Sequence, residues 1–399
     1  MAKQSEDKSY LNSAQELDLQ EFKDKLEEAI SGIHDPRAGD NQHYPFSTLM
    51  GIILCAAISG ANSILAIAEY AAAKRDWLSL WLDIPERSPS YSVFWWLLVR
   101  LEPNQTEQLF RQWICSLNPS DLEEIIAIDG KRVRGASRKG GAASLLHMVS
   151  AWSSSRGLIL GQLKTEEKSN EITAIPKLIK SLDISDAILT IDAMGCQKDI
   201  VSSILKKGGH YVIGLKGNQH SLYHEALNFF KQAQDVNFEG VPCSTYHSVE
   251  GDHGRIEERD VYVTSDIDWL PQREDWAGLK SLVMISSRRT IGGKRSQEAR
   301  YYMTSLEVDA EKIGNAIRTH WGIENSVHWV LDVTFEEDLS LITTGHAALN
   351  FSVLKRLTLN MLKLDKEAKT SLKGKRRKAG WNNAYLAKIL LLSCVNDFL

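Results

Sequence analysis

Hydrophobic and polar positions divide the chain into a helical first part and a later part in which strands and helices alternate. Strand-like runs, either continuously apolar or alternating, are found at 124–129, 147–153, 158–165, 187–192 and 210–215. Apolar residues at helical spacing are found at 170–182 and 197–207. This order of elements predicts an α/β fold with a mixed sheet, in which the strands at 124–129 and 187–192 lie side by side and parallel.

The first part contains one run that could belong to a membrane protein. Residues 46–68 carry no charged side chain, and the run is long enough to span a bilayer. The sequence Ser-Gly-Ala-Asn-Ser at 59–63 interrupts it with turn and capping residues. We therefore predict two helices of ordinary length within an N-terminal helical bundle, and no membrane partner.

Composition indicates a globular protein without a disulfide framework. Hydrophobic residues make up 43% and charged residues 25% of the 399 positions, which excludes disorder or low complexity for most of the chain. The five cysteines lie far apart and form no CxxC pair, so we expect reduced thiols and a cytoplasmic location. The first residues are polar and lack the apolar core of a secretion signal, so secretion is not expected.

Charge is unevenly distributed, although the net charge of −4 gives no indication of a nucleic-acid partner. Residues 355–378 carry ten basic and two acidic side chains. Such a run can be a solvated helix face or a phosphate-binding surface, because attraction to phosphate acts over about 10 Å at 0.1 M salt. We hypothesise that Arg376, Arg377 and Lys378 contact DNA.

Two aspartates, Asp129 and Asp192, each follow one of the two strands that are expected to be parallel. They would emerge at the same carboxyl edge of the sheet, where open α/β sheets bind ligands. Neighbouring carboxylates repel unless a cation lies between them, and Mg²⁺ prefers such oxygens together with phosphate. Either aspartate alone could instead be a helix cap or turn residue. The pair predicts phosphoryl chemistry, in which two ions could serve the attacking and leaving oxygens, and a third carboxylate.

The third carboxylate is expected in the stretch HWGIENSVHWVLDVTF. On a helix, a polar stripe at i, i+4 spacing is formed by His320, Glu324, His328 and Asp332. The apolar residues that can pack inward are Val327, Val330 and Leu331. A carboxylate-rich site that faces phosphate favours Mg²⁺ or Mn²⁺. A buried histidine network and a zinc site are alternative interpretations of the same stripe.

Several motifs together resemble one protein family. In chain order they are IAIDGKRVRG, LTIDAMGCQKDIV, YVIGLKGNQ, DHGRIEERDVYV and HWGIENSVHWVLDVTFEED. Their joint order is similar to that of bacterial insertion-sequence transposases of the DDE class, specifically the ISAs-type or H-repeat-associated transposases, over nearly the whole chain. The resemblance implies an RNase H-like catalytic domain in which Asp129, Asp192 and Glu324 are the catalytic and metal-binding carboxylates. It also implies that DNA is the substrate.

The sequence departs from a signature of Tyr, Arg, Glu and Lys that many cut-and-paste transposases carry around this glutamate. Ile317 lies seven residues before Glu324, and Leu331 lies seven residues after it. Other side chains of the same helix could replace the missing ones in gripping DNA. The residues that we predict for this role are Arg318, His320 and His328.

The chain between Asp192 and Glu324 is far longer than one strand and one helix require, which predicts a β-rich insertion at 235–308. Within it, alternate positions of one strand place on one face the residues His253, Arg255, Glu257 and Arg259. That face could be a salt-bridged surface or a platform that grips phosphate through its histidine and arginines. Further DNA contacts are expected beside the aspartates at Lys131, Arg132, Arg134, Lys216 and Asn218.

These features predict five segments. They are an N-terminal helical, DNA-end-binding domain (1–118), the first part of the catalytic domain (119–234), the insertion (235–308), the catalytic helix with the rest of the core (309–365), and a basic segment with a C-terminal helix (366–399). The predicted function is cleavage of element ends and joining of the 3′-hydroxyl to target DNA, by a homo-oligomer that is at least dimeric on DNA. A silent DNA-binding descendant and a metal-dependent nuclease of the same fold are alternatives. The expected location is the bacterial cytoplasm, at the nucleoid when DNA is bound.

Overall fold

The computed structural model describes residues 13–37, 42–116, 124–133, 146–165, 171–252, 254–340, 342 and 344–394. The helices are α1 (Ser13–Ile30), α2 (Phe46–Ile58), α3 (Ile64–Ala73), α4 (Arg75–Leu78), α5 (Tyr91–Arg100), α6 (Pro103–Ser116), α7 (Glu171–Ser181), α8 (Lys198–Lys206), α9 (His220–Asp235), α10 (Ala310–His320), α11 (Trp329–Val333), α12 (Ala347–Leu364), α13 (Leu372–Trp381) and α14 (Asn383–Leu392). The strands are β1 (Ile125–Val133), β2 (Leu146–Ser153), β3 (Ile159–Lys164), β4 (Ile188–Ile191), β5 (His210–Leu215), β6 (Ser244–Asp252), β7 (Arg255–Thr264), β8 (Ser281–Ile291) and β9 (Lys294–Thr304).

A nine-stranded mixed sheet forms the centre of the fold, with the strand order β3-β2-β1-β4-β5-β9-β8-β7-β6. β1, β4 and β5 are parallel neighbours, whereas β2 and β3 are antiparallel additions at one side. β4 is buried along its whole length, which explains why it reads as an unbroken apolar run. The predicted α/β fold with a mixed sheet is confirmed, including the parallel pairing of the first and fourth strands.

β1 is longer than its apolar run indicates. Its pairing with β4 ends at Ile128, opposite Ile191, but its pairing with β2 continues to Val133. The two parallel strands therefore separate directly after Ile128. From Asp129 onward, the edge of β1 that paired with β4 is no longer hydrogen-bonded to that strand. The candidate active site described below lies at this opening.

The predicted insertion extends the same sheet. β9 pairs antiparallel with β5 from Val212–Thr304 to Leu215–Tyr301, and β8, β7 and β6 follow as antiparallel neighbours. A small second core, which includes Val261, Val283 and Ile313, packs α10 against this extension. The predicted β-rich character of the segment is confirmed, and its strands are continuous with the catalytic sheet.

Helices from both ends of the chain pack into one bundle. α1 contacts α14, α6 contacts α12, and α2 contacts α12 and α13. Asn350 of α12 donates from Nδ2 to the carbonyl oxygens of Leu98 and Leu101. These two carbonyls lie at the C-terminal end of α5. The uncharged run at 46–68 forms α2 and α3, and Ser63 caps α3, so the predicted helical pair is confirmed. Among the residues that the structure describes, no helix is both long and apolar enough to cross a membrane.

α13 belongs to the predicted basic segment but packs partly into this bundle. Arg376 is buried and donates to the carbonyl oxygens of Ala57 and Thr334, and its guanidinium lies 4.2 Å from the centre of the Phe335 ring. Burial lowers the pKa of Arg376 to about 10. Both carbonyls lie at helix C-termini, where backbone acceptors need partners. The side chain of Arg376 therefore holds helix ends together in this structure, and a DNA contact at Arg376 stays a prediction.

The pKa of Glu107, a buried carboxyl in α6, is raised. Both carboxylate oxygens of Glu107 lack a hydrogen-bond partner among the described residues, and burial raises its pKa from 4.5 to about 8. The folded protein therefore retains a proton here that the unfolded chain loses above pH 4.5. This contribution to stability is complete below the unfolded pKa and is lost as pH rises to the folded pKa, at a slope of at most about 1.4 kcal/mol per pH unit.

We predict that Glu107→Gln removes this pH dependence, because the amide does not ionise. The melting temperature of the variant relative to the parent protein should rise between pH 5 and pH 8, as measured by scanning calorimetry at matched ionic strength. Equal differences at every pH would show that Glu107 is ionised in the folded protein.

Candidate active site

The pairing of β1 with β4 brings the two predicted aspartates to one edge of the sheet. Asp129 and Asp192 occupy equivalent positions, immediately beyond the last parallel pair. Oδ1 of Asp129 accepts from the Gly130 N–H at 2.9 Å, and Oδ1 of Asp192 accepts from the Met194 N–H at 2.8 Å. Asp192 thereby caps the short 3₁₀ helix Ala193–Gly195. The capping bond engages one oxygen only, so a cap at this position is compatible with a site.

The predicted polar stripe crosses this edge. His320 Nδ1 lies 3.0 Å from Oγ1 of Thr190 on β4. His328 Nδ1 lies 3.2 Å from Glu324 Oε2 and 3.6 Å from Asp129 Oδ2. His328 is 5% exposed. The two histidines were predicted to grip DNA, but their rings face the sheet and the carboxylates instead.

A π-helical turn, Glu324–His328, lies between α10 and α11 and is closed by the bond from the Trp329 N–H to the Glu324 carbonyl. Such turns insert one residue into a helix and occur frequently at functional sites. Periodicity predicts a regular helix here and does not reveal the turn. The predicted inward packing is confirmed for Val327, Val330 and Leu331, which are all buried.

Two carboxylates and one imidazole converge at the site. One oxygen of Asp129, one oxygen of Glu324 and a ring nitrogen of His328 all lie within 4.8 Å of one another. This donor set fits a divalent ion, since carboxylate oxygens and imidazole nitrogen are both common ligands. Asp192 lies outside this set, at the end of the adjacent strand.

The protonation of the site depends on burial and on His328. Burial raises the pKa of Asp129 to about 6, although His328 and the Gly130 N–H oppose this effect. The hydrogen bond with His328 lowers the pKa of Glu324. Burial lowers the pKa of His320, which favours the neutral ring. A cation between Asp129 and Glu324 would favour the ionised form of both carboxyls.

Glu171 and His147 form a pair beside Asp129 that the motifs do not indicate. Glu171 Oε1 lies 2.8 Å from His147 Nε2, and the Glu171 side chain is largely buried. A Cβ at Gly130 would overlap the ends of both side chains, so a larger residue here would displace this pair. No local sequence pattern indicates this pair, because Glu171 and His147 lie on α7 and β2, away from Asp129 in the chain.

Lys131 is buried against α11, the helix that follows the π-helical turn. Its Nζ donates to Asp332 Oδ1 at 2.6 Å and lies 3.9 Å from Asp338 Oδ1. The ammonium of Lys131 is therefore paired within the protein in this structure, and a DNA contact at Lys131 stays a prediction. Arg132, the next residue of β1, is exposed. Two other predicted contacts lie outside the described residues, namely Arg134 and His253.

Lys216 and Asn218 follow β5 at the same edge of the sheet, and both are exposed. Asn218 donates from Nδ2 to the carbonyl oxygen of Ala193 at 2.7 Å, next to Asp192. Two cations of the basic segment are also exposed, Arg377 and Lys378. The Lys378 Nζ lies 4.3 Å from the centre of the Tyr385 ring.

β6 to β9 and α10 enclose a groove of about 730 Å³ that contains the predicted arginine face. Arg259 pairs with Glu250 and Glu257, Arg318 pairs with Glu250 at 2.8 Å, and Arg255 contacts Glu257. The bond from Arg318 is the main cause that lowers the pKa of Glu250 to about 2. The structure therefore shows a salt-bridged surface on this face of the sheet. The side chains of Arg255 and Arg318 are roughly half exposed there.

Comparison with known proteins agrees with this geometry. The model of the transposase DDE domain matches residues 120–361, and the model of the DDE_Tnp_1-associated region matches residues 27–114. The chain is 38% identical to "Putative transposase YncI" of Escherichia coli O157:H7, over 90% of this chain and 93% of that protein. It is 37% identical to "H repeat-associated putative transposase YhhI" of Escherichia coli strain K12, over 92% of this chain and 97% of that protein.

A solved structure of a piggyBac transposase synaptic complex with hairpin DNA is a distant match. Its TM-score is 0.44 at 12% identity, over 95% of this chain and 80% of that chain. This likeness is too remote to support conclusions about the site.

A mixed sheet with carboxylates at the ends of neighbouring parallel strands, and a third carboxylate on a helix that crosses them, defines an RNase H-like enzyme of the polynucleotidyl transferase class. The chain belongs to the DDE transposase family, together with the H repeat-associated transposases. The resemblance found in its motifs is thereby confirmed. Membership implies a divalent metal ion as cofactor and DNA as partner.

The Lys131–Asp332 pair gives a prediction about how α11 is held against β1. We expect a double-mutant cycle with Lys131→Met and Asp332→Asn to give a coupling energy of about 1–3 kcal/mol in unfolding experiments, because the ammonium is buried. The exposed pair Lys198–Asp275, with a similar N···O distance of 2.9 Å, is the matched control and should couple by less than about 1 kcal/mol. Equal coupling in both pairs would contradict an anchoring role for Lys131.

Proposed function

We propose that this transposase cleaves the ends of an insertion sequence and joins the released 3′-hydroxyl to target DNA by metal-dependent phosphoryl transfer. The proposal rests on the convergence of Asp129 and Glu324 at the sheet edge where Asp192 follows the neighbouring strand. Asp129, Asp192 and Glu324 would hold Mg²⁺ or Mn²⁺, as two ions. Such ions activate the attacking oxygen and stabilise charge on the leaving one.

The two reactions share one chemical pattern. In cleavage, a water oxygen attacks the phosphorus at the element end and gives a proton to solvent, and the P–O3′ bond breaks so that the 3′-oxygen leaves and takes a proton. In joining, that 3′-hydroxyl attacks a target phosphorus, gives its proton to solvent and displaces the target 3′-oxygen, which takes a proton. The protein contributes to both reactions by holding the carboxylates in fixed positions, on the ends of two strands and on a helix packed against them.

Exposed basic and amide side chains would bind the phosphate backbone of the DNA. Those among the described residues are Arg132, Lys216, Asn218, Arg255, Arg318, Arg377 and Lys378. DNA phosphate would replace glutamate as the partner of Arg255 and Arg318, because guanidinium binds phosphate in the same two-pronged manner as carboxylate. The N-terminal helices would bind element ends, and two copies of the chain would hold two ends together.

Strand transfer in Mg²⁺ tests the proposal, with pre-cut duplexes copied from the DNA that flanks the reading frame. We predict joined products for the parent protein and a loss of at least about a hundredfold for Glu324→Gln, because an amide is a poor ligand for the ion. Glu311→Gln, at an exposed position of α10, is the matched control and should retain activity.

The products also separate the two alternative functions. Binding without cleavage or joining in the parent protein would indicate a silent DNA-binding descendant. Cleavage without joining would indicate a nuclease of the same fold. Either result would contradict the proposed transposition chemistry.

The exposed part of α13 gives a second prediction. Each phosphate contact that is lost should reduce the slope of log K against log salt by about 1, so Arg377→Ala with Lys378→Ala should reduce it by up to about 2. Lys280→Ala, which removes an exposed lysine paired with Glu307, is the control. An unchanged slope, measured by fluorescence anisotropy with element-end DNA, would exclude α13 from the DNA-binding surface.

A further inference from the structure

His328 occupies a position that neither helix packing nor DNA contact explains. It is 5% exposed, within the π-helical turn Glu324–His328, and its Nδ1 faces the two carboxylates of the site. Its other ring nitrogen, Nε2, is buried without a hydrogen-bond partner among the described residues. Among the residues that the structure describes, the polar contacts of this ring are therefore with Asp129 and Glu324.

The distances around Nδ1 suit metal coordination better than they suit hydrogen bonds alone. Nδ1 lies 3.2 Å from Glu324 Oε2 and 3.6 Å from Asp129 Oδ2, and the second distance exceeds that of a hydrogen bond. Ligand atoms that each lie about 2.0–2.2 Å from one ion are separated from one another by roughly 3–4 Å. The separations of His328 Nδ1 from the two carboxylate oxygens fall within this range, and the Asp129 and Glu324 oxygens lie within 4.8 Å of each other.

We propose that His328 Nδ1 is a direct ligand of the divalent ion that Asp129 and Glu324 hold, so that the ion has a nitrogen donor in addition to carboxylates. This inference rests on the proposed function, since the ion is the one required for phosphoryl transfer. An imidazole ligand favours Mn²⁺ and later transition metals over Mg²⁺, which prefers oxygen. The site is therefore selective for Mn²⁺ over Mg²⁺.

His320 provides a matched control within the same segment. Its Nδ1 is 3.0 Å from Thr190 Oγ1, so that ring nitrogen already has a protein partner. It belongs to the same polar stripe as His328 but lies outside the set of side chains that converge within 4.8 Å. Substitution of His320 removes an imidazole from the same stripe without removing the proposed ligand.

Pulsed EPR on the full-length protein with Mn²⁺ tests the coordination directly. We expect a ¹⁴N coupling in the parent protein that becomes a ¹⁵N coupling after labelling with [¹⁵N]histidine. The coupling should vanish in His328→Gln and persist in His320→Gln. In His328→Gln the affinity for Mn²⁺ should fall by at least about tenfold, whereas the affinity for Mg²⁺, measured by competition, should fall less.

Three results would overturn the proposal. If Mn²⁺ binds and Glu324→Gln abolishes the binding, but no histidine coupling appears, His328 is not a ligand and the proposed function stands. If the coupling is lost in His320→Gln and kept in His328→Gln, the ligand is the other histidine. If Mn²⁺ does not bind in a Glu324-dependent manner, both the ligand assignment and the metal site of the proposed function are wrong.

Discussion

Parallel hydrogen bonding between β1 and β4 is the constraint on which the site depends. Because Ile128 is opposite Ile191, Asp129 and Asp192 leave the paired region at the same level. A slip of one residue in either strand would turn its side chains to the opposite face of the sheet and separate the carboxylates. Both strands are buried where they pair, so such a slip would be costly because it would disrupt the packing of their side chains on both faces of the sheet.

The third carboxylate depends on a separate set of contacts that dock the helix onto this edge. Lys131, two residues after Asp129, reaches Asp332 at the far end of the helical segment. After α11, the short 3₁₀ helix Glu337–Leu339 is held to α12 by a fully buried ion pair between Glu337 and Arg356. α12 packs in turn against helices from the first part of the chain. The helical bundle therefore supports the position of Glu324, and its role extends beyond any binding of DNA ends.

The sequence predicts the strands and helices, and the face of a helix that is turned to the sheet, because these follow from the spacing of neighbouring residues. The bounds of β5 match the apolar run at 210–215, and the stripe through His320 and His328 faces the sheet because its spacing is helical. The charge of a side chain does not reveal whether its partner is DNA or another part of the protein. Lys131 and Arg376 read as DNA contacts, yet their partners lie 201 and 319 residues away in the chain. For the same reason, the pairing of β9 with β5 could not be inferred from the strands themselves.

Anomalous diffraction from crystals of the protein with a pre-cut element end and Mn²⁺ tests the central claim most directly. The account predicts a manganese peak within about 2.2 Å of carboxylate oxygens of both Asp129 and Glu324, beside the terminal phosphate of the DNA. DNA bound at this edge with manganese only at other positions would contradict the assignment of these carboxylates to phosphoryl transfer.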